Sequence, residues 1–368
     1  MIVAVKNLVV ERTRLILSVV GVGFAVLLIL VMAGIFVGTT SQVTTYIDHS
    51  RNAVWVVQPG VSQMFRAVSW LPGGTERQLM ALPEVASADP ILGQPSDFVH
   101  DGEQTAYFVV GYDTDTGVGG PWKLAQGRDV DAPGEVVLDR VLASKNGIHL
   151  GDSVRIIDGN FTVVGLSDQT AALGNFYAFV GLPDAARLFR AGDRVSYVLV
   201  QPAPGYSPAQ AATVIGERLP GADALTSAEF ARNSRDIIVS MVGRPMKAMI
   251  AIATLVGVAL IGLTVLTTTN EQMGDFGMLR AVGVRPAQLR RTVLGQATII
   301  ATLGYLVGAG LAYAAQYLIR DRLGDVTIAV TPSMLGGMAV ATAVMAALGS
   351  LLPLRKVGSI DPALAFRR

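Results

Sequence analysis

The 368-residue chain contains no cysteine. No disulfide can staple it, and no thiolate metal site, iron–sulfur cluster or cysteine nucleophile can form. Histidine is nearly as scarce. His49, His100 and His149 lie far apart, none in a metal-ligand spacing, and read as scattered loop residues. Lysine is rare too, with five among 29 basic residues, and the five follow Val5, Trp122, Ser144, Met246 and Arg355. A Walker A loop needs a Gly-Lys pair, so this chain has no P-loop, and any ATP hydrolysis belongs to a separate subunit. No Gly-x-Ser-x-Gly nucleophile elbow occurs. Asp113 and Asp115 sit in a Gly-rich turn, where aspartate serves the backbone. A net charge of +1 gives no basis for binding nucleic acid. The sequence reads as a non-enzyme with no cofactor of its own.

What the chain has is apolar length, with 51% hydrophobic and only 15% charged residues. Four stretches carry no Asp, Glu, Lys or Arg: Leu15–Val37, Ala248–Thr269, Thr292–Ile319 and Pro332–Leu354. Each meets the ~20 helical residues a bilayer requires. The first could pass for a signal peptide, but its 23 residues exceed the roughly 7–15 of a cleavable core, so it reads as an uncleaved anchor. Uncharged spans offer no proton relay or ion path, which argues against an ion-coupled transporter.

Orientation follows from the flanks. Lys6, Arg12 and Arg14 precede the first span. Arg280, Arg285, Arg290 and Arg291 face only Glu271 and Asp275 in the 22-residue segment 270–291, and Arg355, Lys356, Arg367 and Arg368 follow the last span. Short basic loops stay inside. Both termini and segment 270–291 are therefore expected in the cytoplasm, and residues 38–245 and the short loop 320–331 outside. The opening residues 1–14 alternate apolar Ile2, Val5 and Val9 with polar Lys6, Asn7 and Glu11. They fit a helix lying in the interface or a plain polar flank.

The large outer segment reads as mixed α/β. Strands are expected at Ala53–Val57, Ala106–Tyr112, Val154–Ile157, Phe161–Val164, Tyr177–Val180 and Tyr197–Val200, with a hairpin turn at Asp158–Gly159. Helices are expected at Thr75–Leu82, Asp139–Asn146, Pro183–Phe189 and Ser207–Leu219, the last opened by a Ser207/Gln210 capping box. A second capping box, Thr226 to Glu229, starts a helix that leads into span two, with Gly243 and Pro245 as a possible kink. Gly38–Ile47 and Ser227–Val242 thus flank the domain as stalks continuing spans one and two. Small residues mark close-packing faces: Ala253 and Gly257 in span two, and Gly304, Gly308 and Ala312 in span three. The span-three pattern reads as packing within one protomer.

Between spans two and three the chain reads Glu271, a spacer, then Gly277-Met278-Leu279-Arg280-Ala281-Val282-Gly283, with Gln288 and Leu289 following. The tail reads LRKVGSIDPALAFRR, including Asp361-Pro362, and the outer segment contains GRDVDAPGEVVLDRVLASKNGIHLGDSVRI and then FTVVGL. These three patterns, in this order, resemble permeases of the MacB–FtsX family, the type VII ABC transporters. The resemblance covers essentially the whole chain. The outer segment is shorter than in the macrolide exporters and longer than in the cell-division members. Its length and VWVVQPG start are most similar to the compact DevC-type and haem-exporter-like permeases.

The resemblance implies a membrane protein with four transmembrane helices, a mixed α/β extracytoplasmic domain between helices one and two, and those two helices extended as stalks. It implies a bacterial inner-membrane location and a partner ABC ATPase in two copies, which binds ATP and Mg. That ATPase would push on Gly277, Met278, Leu279, Arg280, Ala281, Val282 and Gly283. A second permease copy, most simply a homodimer, would complete the complex within membrane lipid, with or without an extracytoplasmic adaptor. The expected function is mechanotransmission that exports a hydrophobic or amphiphilic substrate (lipid, drug or porphyrin). The alternatives are a transmembrane signal to a cell-wall hydrolase, or lipoprotein extraction. Met64, Phe65, Met241, Met246 and Met249 are candidates to line a substrate path, against the plainer reading that they only pack.

Overall fold

The computed structural model describes residues 12–50, 53–64, 68–100, 103–170, 176–320 and 328–358. The interfacial segment 1–11, Phe65, residues 321–327 of the short loop and the Asp361–Pro362 tail lie outside the described residues. The chain divides into two compact units, one built of long helices and one, residues 39–241, of sheet and short helices.

Long apolar runs make the helices. Helix α1 spans Arg12–Gln42, and a short α2 follows at Thr45–His49. Three short helices punctuate the sheet domain: α3 (Thr75–Met80), α4 (Arg140–Lys145) and α5 (Leu182–Leu188). A longer one, α6, covers Pro208–Arg218. Then come α7 (Ser227–Glu271), α8 (Met273–Ala281), α9 (Pro286–Arg320), α10 (Pro332–Gly349) and α11 (Leu351–Gly358). Among the described residues four segments are long and apolar enough to cross a membrane: Leu15–Gln42, Ser227–Glu271, Pro286–Leu318 and Pro332–Val357. Both capping boxes form. Ser207 Oγ accepts from the Gln210 N–H, whose side chain accepts from the Ser207 N–H, and Thr226 and Glu229 do the same. Helix α7 passes through Pro245 without ending.

Among the described residues the strands are β1 (Val54–Val57), β2 (Val85–His100), β3 (Glu103–Tyr112), β4 (Leu124–Gly127), β5 (Glu135–Asp139), β6 (Ser153–Ile156), β7 (Gly159–Ser167), β8 (Phe176–Gly181), β9 (Tyr197–Pro202) and β10 (Asp223–Thr226). They form one sheet in the order β10-β1-β9-β2-β3-β8-β5-β7-β4, with β6 paired to β7. Both faces are covered, which is why β1, β8 and the start of β9 are buried residue after residue instead of alternating. On one face Trp55, Phe108, Tyr177, Phe179 and Tyr197 meet Tyr46 of α2 and Phe230 of α7. On the other, α3 and α6 cover the β1–β9 end, and α4 and α5 cover the β5–β8 end. The entering and leaving strands pair with each other: β1 and β10 are antiparallel, with Val54 opposite Thr226 and Val57 opposite Asp223.

One turn departs from expectation. The β6–β7 hairpin pairs Ile156 with Gly159, so the loop is Ile157–Asp158, one residue earlier than Asp158–Gly159. Burial decides it. This register turns Val154, Ile156, Phe161 and Val163 inward together, and a one-residue slip would flip one strand's set to the other face. The loop then holds Ile157 at φ 56°, unusual for a β-branched residue.

In the helical unit, glycines set the helix spacing. A Cβ on Gly304 would lie 2.6 Å from Val22 Cγ1, and one on Gly308 would lie 2.4 Å from the Gly23 carbonyl oxygen. Ala312, one turn on, is fully buried. The four-residue pattern in α9 therefore packs on α1 of the same protomer. Gly257 likewise lies against Met345 and Ala25, and Ala253 packs on the bundle core.

Candidate functional site

The segment expected as a cytoplasmic loop, 270–291, is mostly helix. Helix α7 ends at Glu271, Gln272 takes the N-cap position, and α8 occupies Met273–Ala281. Its stop is set by Gly283, at φ 95°. The Gly283 N–H donates to Arg280 O at 3.0 Å, and the Val284 N–H donates to Leu279 O at 2.9 Å. That is a Schellman motif, and it needs a left-handed residue where glycine stands. Pro286 then opens α9, its fixed φ suited to a first turn.

The short helix is pinned from beneath. Phe276 of α8, with Leu289 and Val293 of α9, enters the core of the helical bundle. The Gln296 amide donates to Gln272 Oε1 at 3.4 Å. Away from Phe276 the helix is open and apolar: Met278 is 55%, Leu279 41% and Val282 85% exposed. At 100° per residue Val282 falls between Met278 and Leu279, so the three make one patch. Arg280 is half-buried, and Ala281, Gly283, Arg285, Arg290 and Arg291 are exposed. An anchored helix that shows water an apolar patch beside arginines is suited to seating in a groove of another protein. Gly277 lies beneath, buried with Phe276. Phe276 carries the anchoring and was not singled out by sequence, though it stands in the same short helix, three residues before Leu279.

The methionines do not form one group. Met64 is 2% exposed inside the sheet domain's aromatic core, which takes it out of any path. Met246 is buried, while Met241 and Met249 are exposed on α7. Among the described residues no three His, Asp or Glu side chains are placed to hold a metal ion. His49 stacks on Trp122, and His149 stands 3.7 Å from Asp152. The His100 side chain lies outside the described residues.

Residues 15–218 match the family model described as MacB-like periplasmic core domain, and residues 247–362 match that of the FtsX-like permease C-terminal. The chain belongs to the MacB/FtsX family of ABC transporter permeases. Among its relatives are an "uncharacterized ABC transporter permease" of Mycobacterium bovis and one of Mycobacterium tuberculosis. Each is 24% identical over 97% of this chain and 96% of its own length. The macrolide export ATP-binding/permease protein MacB of Nitrosomonas europaea is 22% identical over 97% of this chain, which spans 57% of that longer protein. The solved periplasmic region of MacB from Actinobacillus actinomycetemcomitans aligns with a TM-score of 0.39 at 13% identity, covering 52% of this chain and 97% of that one. In family terms, the periplasmic core model takes in α1 and most of the sheet domain, and the permease model takes in α8 with its exposed patch.

Proposed function

We propose that this MacB/FtsX permease is moved by a separate cytoplasmic ABC ATPase that seats the Met278–Leu279–Val282 patch in a groove. The exposed apolar patch on an anchored helix is the observation that carries this proposal. Two ATPase copies would engage two permeases, most simply a homodimer in the bacterial inner membrane. Closure of the ATPases on ATP would push α8 and displace α1 and α7, the helices that lead into the sheet domain. The work done is export of a hydrophobic or amphiphilic substrate. Met249, exposed on the apolar part of α7, is the methionine we retain for the face such a molecule meets.

Purified alone, the permease should hydrolyse no ATP above background, because it has no Gly-Lys pair. Turnover should appear on adding the ATPase subunit and rise with an amphiphile that is a true substrate. Turnover that follows the permease itself through successive purification steps would refute the division of labour.

Topology has its own test. The chain has no cysteine, so single cysteines at the exposed positions Ser144, Ser207 and Ala287 give a clean background. In intact cells an impermeant maleimide should label the first two and not the third. The reverse pattern would invert the protein in the membrane and remove α8 from the cytoplasm.

A further inference from the structure

The sheet domain contains a small polar cavity of about 180 Å³, lined by His49, Ser50, Gly117, Gly119, Gly120, Pro121, Trp122 and Asp129. Its volume is well below the ~300 Å³ at which drug-sized pockets begin, so it suits a headgroup-sized molecule. The chain is tightly bent there. Gly119 sits at φ 83° with its carbonyl accepting from Tyr46 Oη at 2.7 Å, and a Cβ on it would lie 2.7 Å from Ile91 Cγ2.

Two side chains, Asp129 and His49, give the cavity its chemistry. Asp129 Oδ1 accepts from Tyr112 Oη at 2.5 Å and from the Val130 N–H at 2.9 Å, while Oδ2 has no hydrogen-bond donor among the described residues. Among the described residues no cation offsets this carboxylate. The neighbouring Arg128 is committed to Glu135 through both guanidinium nitrogens, and Lys123 is committed to Asp168 at 2.8 Å. That contact with Arg128 holds the Glu135 carboxyl down to about 2, so Glu135 keeps its hold on Arg128 across the neutral range. The His49 ring lies flat on Trp122, 5.0 Å between centroids, and its Nδ1 is 2.8 Å from Thr45 O. A carbonyl only accepts, so Nδ1 carries the proton and Nε2 of the neutral ring is left as an acceptor. The Trp122 ring backs His49 with its face, while its indole N–H is buried away from the cavity.

The cavity thus offers a carboxylate oxygen and an acceptor nitrogen, side by side on its lining. A ligand matching both carries a positive N–H group. We propose that this cavity binds a small primary ammonium compound, free or as the headgroup of a lipid. Its ammonium meets Asp129 Oδ2 and His49 Nε2. The proposal concerns the sheet domain alone and does not depend on the ATPase contact.

The test titrates ethanolamine into the full-length permease in detergent micelles free of aminolipid, followed by calorimetry. Saturable one-to-one binding is expected, weakened about tenfold or more by Asp129→Asn, since a charge-assisted contact is lost. His49→Ala should also weaken it. His49 is exposed on the domain surface, so this variant keeps the test valid should Asp129→Asn fail to fold. Asp115→Asn, outside the cavity, should leave binding unchanged. Choline, which has no N–H, and glycerol, which has no charge, should bind far more weakly than ethanolamine. Competition by phosphatidylethanolamine nanodiscs but not by phosphatidylglycerol nanodiscs would identify the lipid headgroup as the source. Binding that neither competes would identify a free amine. Absence of saturable binding, equal binding by both cavity variants, or equal affinity for choline would overturn the proposal.

Discussion

Leu279→Asp is expected to leave the permease expressed, inserted and dimeric, and to abolish both co-purification of the ATPase subunit and its stimulated turnover. The variant costs the free permease little, because Leu279 is 41% exposed. The parts that shape α8 are elsewhere: Phe276 in the core, and the Schellman stop at Gly283, whose Leu279 contribution is a backbone carbonyl. In the complex the balance reverses. A carboxylate forced into an apolar groove without a partner costs roughly 2–4 kcal/mol or more, which is about 30- to 1,000-fold in affinity. Leu279→Met, similar in volume and apolar, should retain coupling. A Leu279→Asp permease that still captures the ATPase and transports normally would place the contact elsewhere.

Gly308→Ala is expected to destabilise the helical bundle where Gly310→Ala does not. Both substitutions add one methyl to the same helix two residues apart. At Gly308 that methyl would lie 2.4 Å from the Gly23 carbonyl oxygen and 2.7 Å from Val26 Cβ, whereas at Gly310 nothing lies within 4 Å. A backbone carbonyl cannot turn aside as a long side chain can, so α1 and α9 must separate and lose the close approach at Gly304 as well. Overpacking of this kind costs about 1–3 kcal/mol. Thermal unfolding in detergent, read by size-exclusion fluorescence, should show the Gly308 variant melting well below wild type and the Gly310 variant close to it. Equal melting temperatures would mean that the α1–α9 crossing does not hold the bundle.

Spans and caps were legible in the sequence because each rests on neighbouring residues. Ser207 with Gln210, and Thr226 with Glu229, form the bonds their spacing implies. Strand β2 was not legible, and its prolines explain why. Pro90 and Pro95 normally argue against a strand interior. Here residues 85–91 pair only with β9 and residues 92–100 only with β3, so each half keeps one edge where a missing N–H does no harm. Short β10 and the exposed β4 lack any apolar alternation to betray them. At the candidate site, the loop motif located α8, but which face is open depends on Phe276 finding the core, a tertiary fact. The polar cavity draws together His49 and the stretch from Gly117 to Asp129, some seventy residues on, so no local pattern announced it.

The pairing of β1 with β10 also sets how the sheet domain answers to force. The chain enters and leaves on one ladder, with Val54 opposite Thr226. Two further ties sit beside that rung: Ser227 N–H to Ala53 O at 2.9 Å, and Arg235 Nη2 to Thr44 Oγ1 at 3.4 Å. A displacement that slides one leg lengthwise past the other is resisted in shear, with all the rungs strained together. One that spreads the legs sideways peels the rungs singly, beginning at the Ala53–Ser227 end. The domain's root is therefore stiff in one direction and weak in the other, as a zip fastener holds against sliding and yields at its open end.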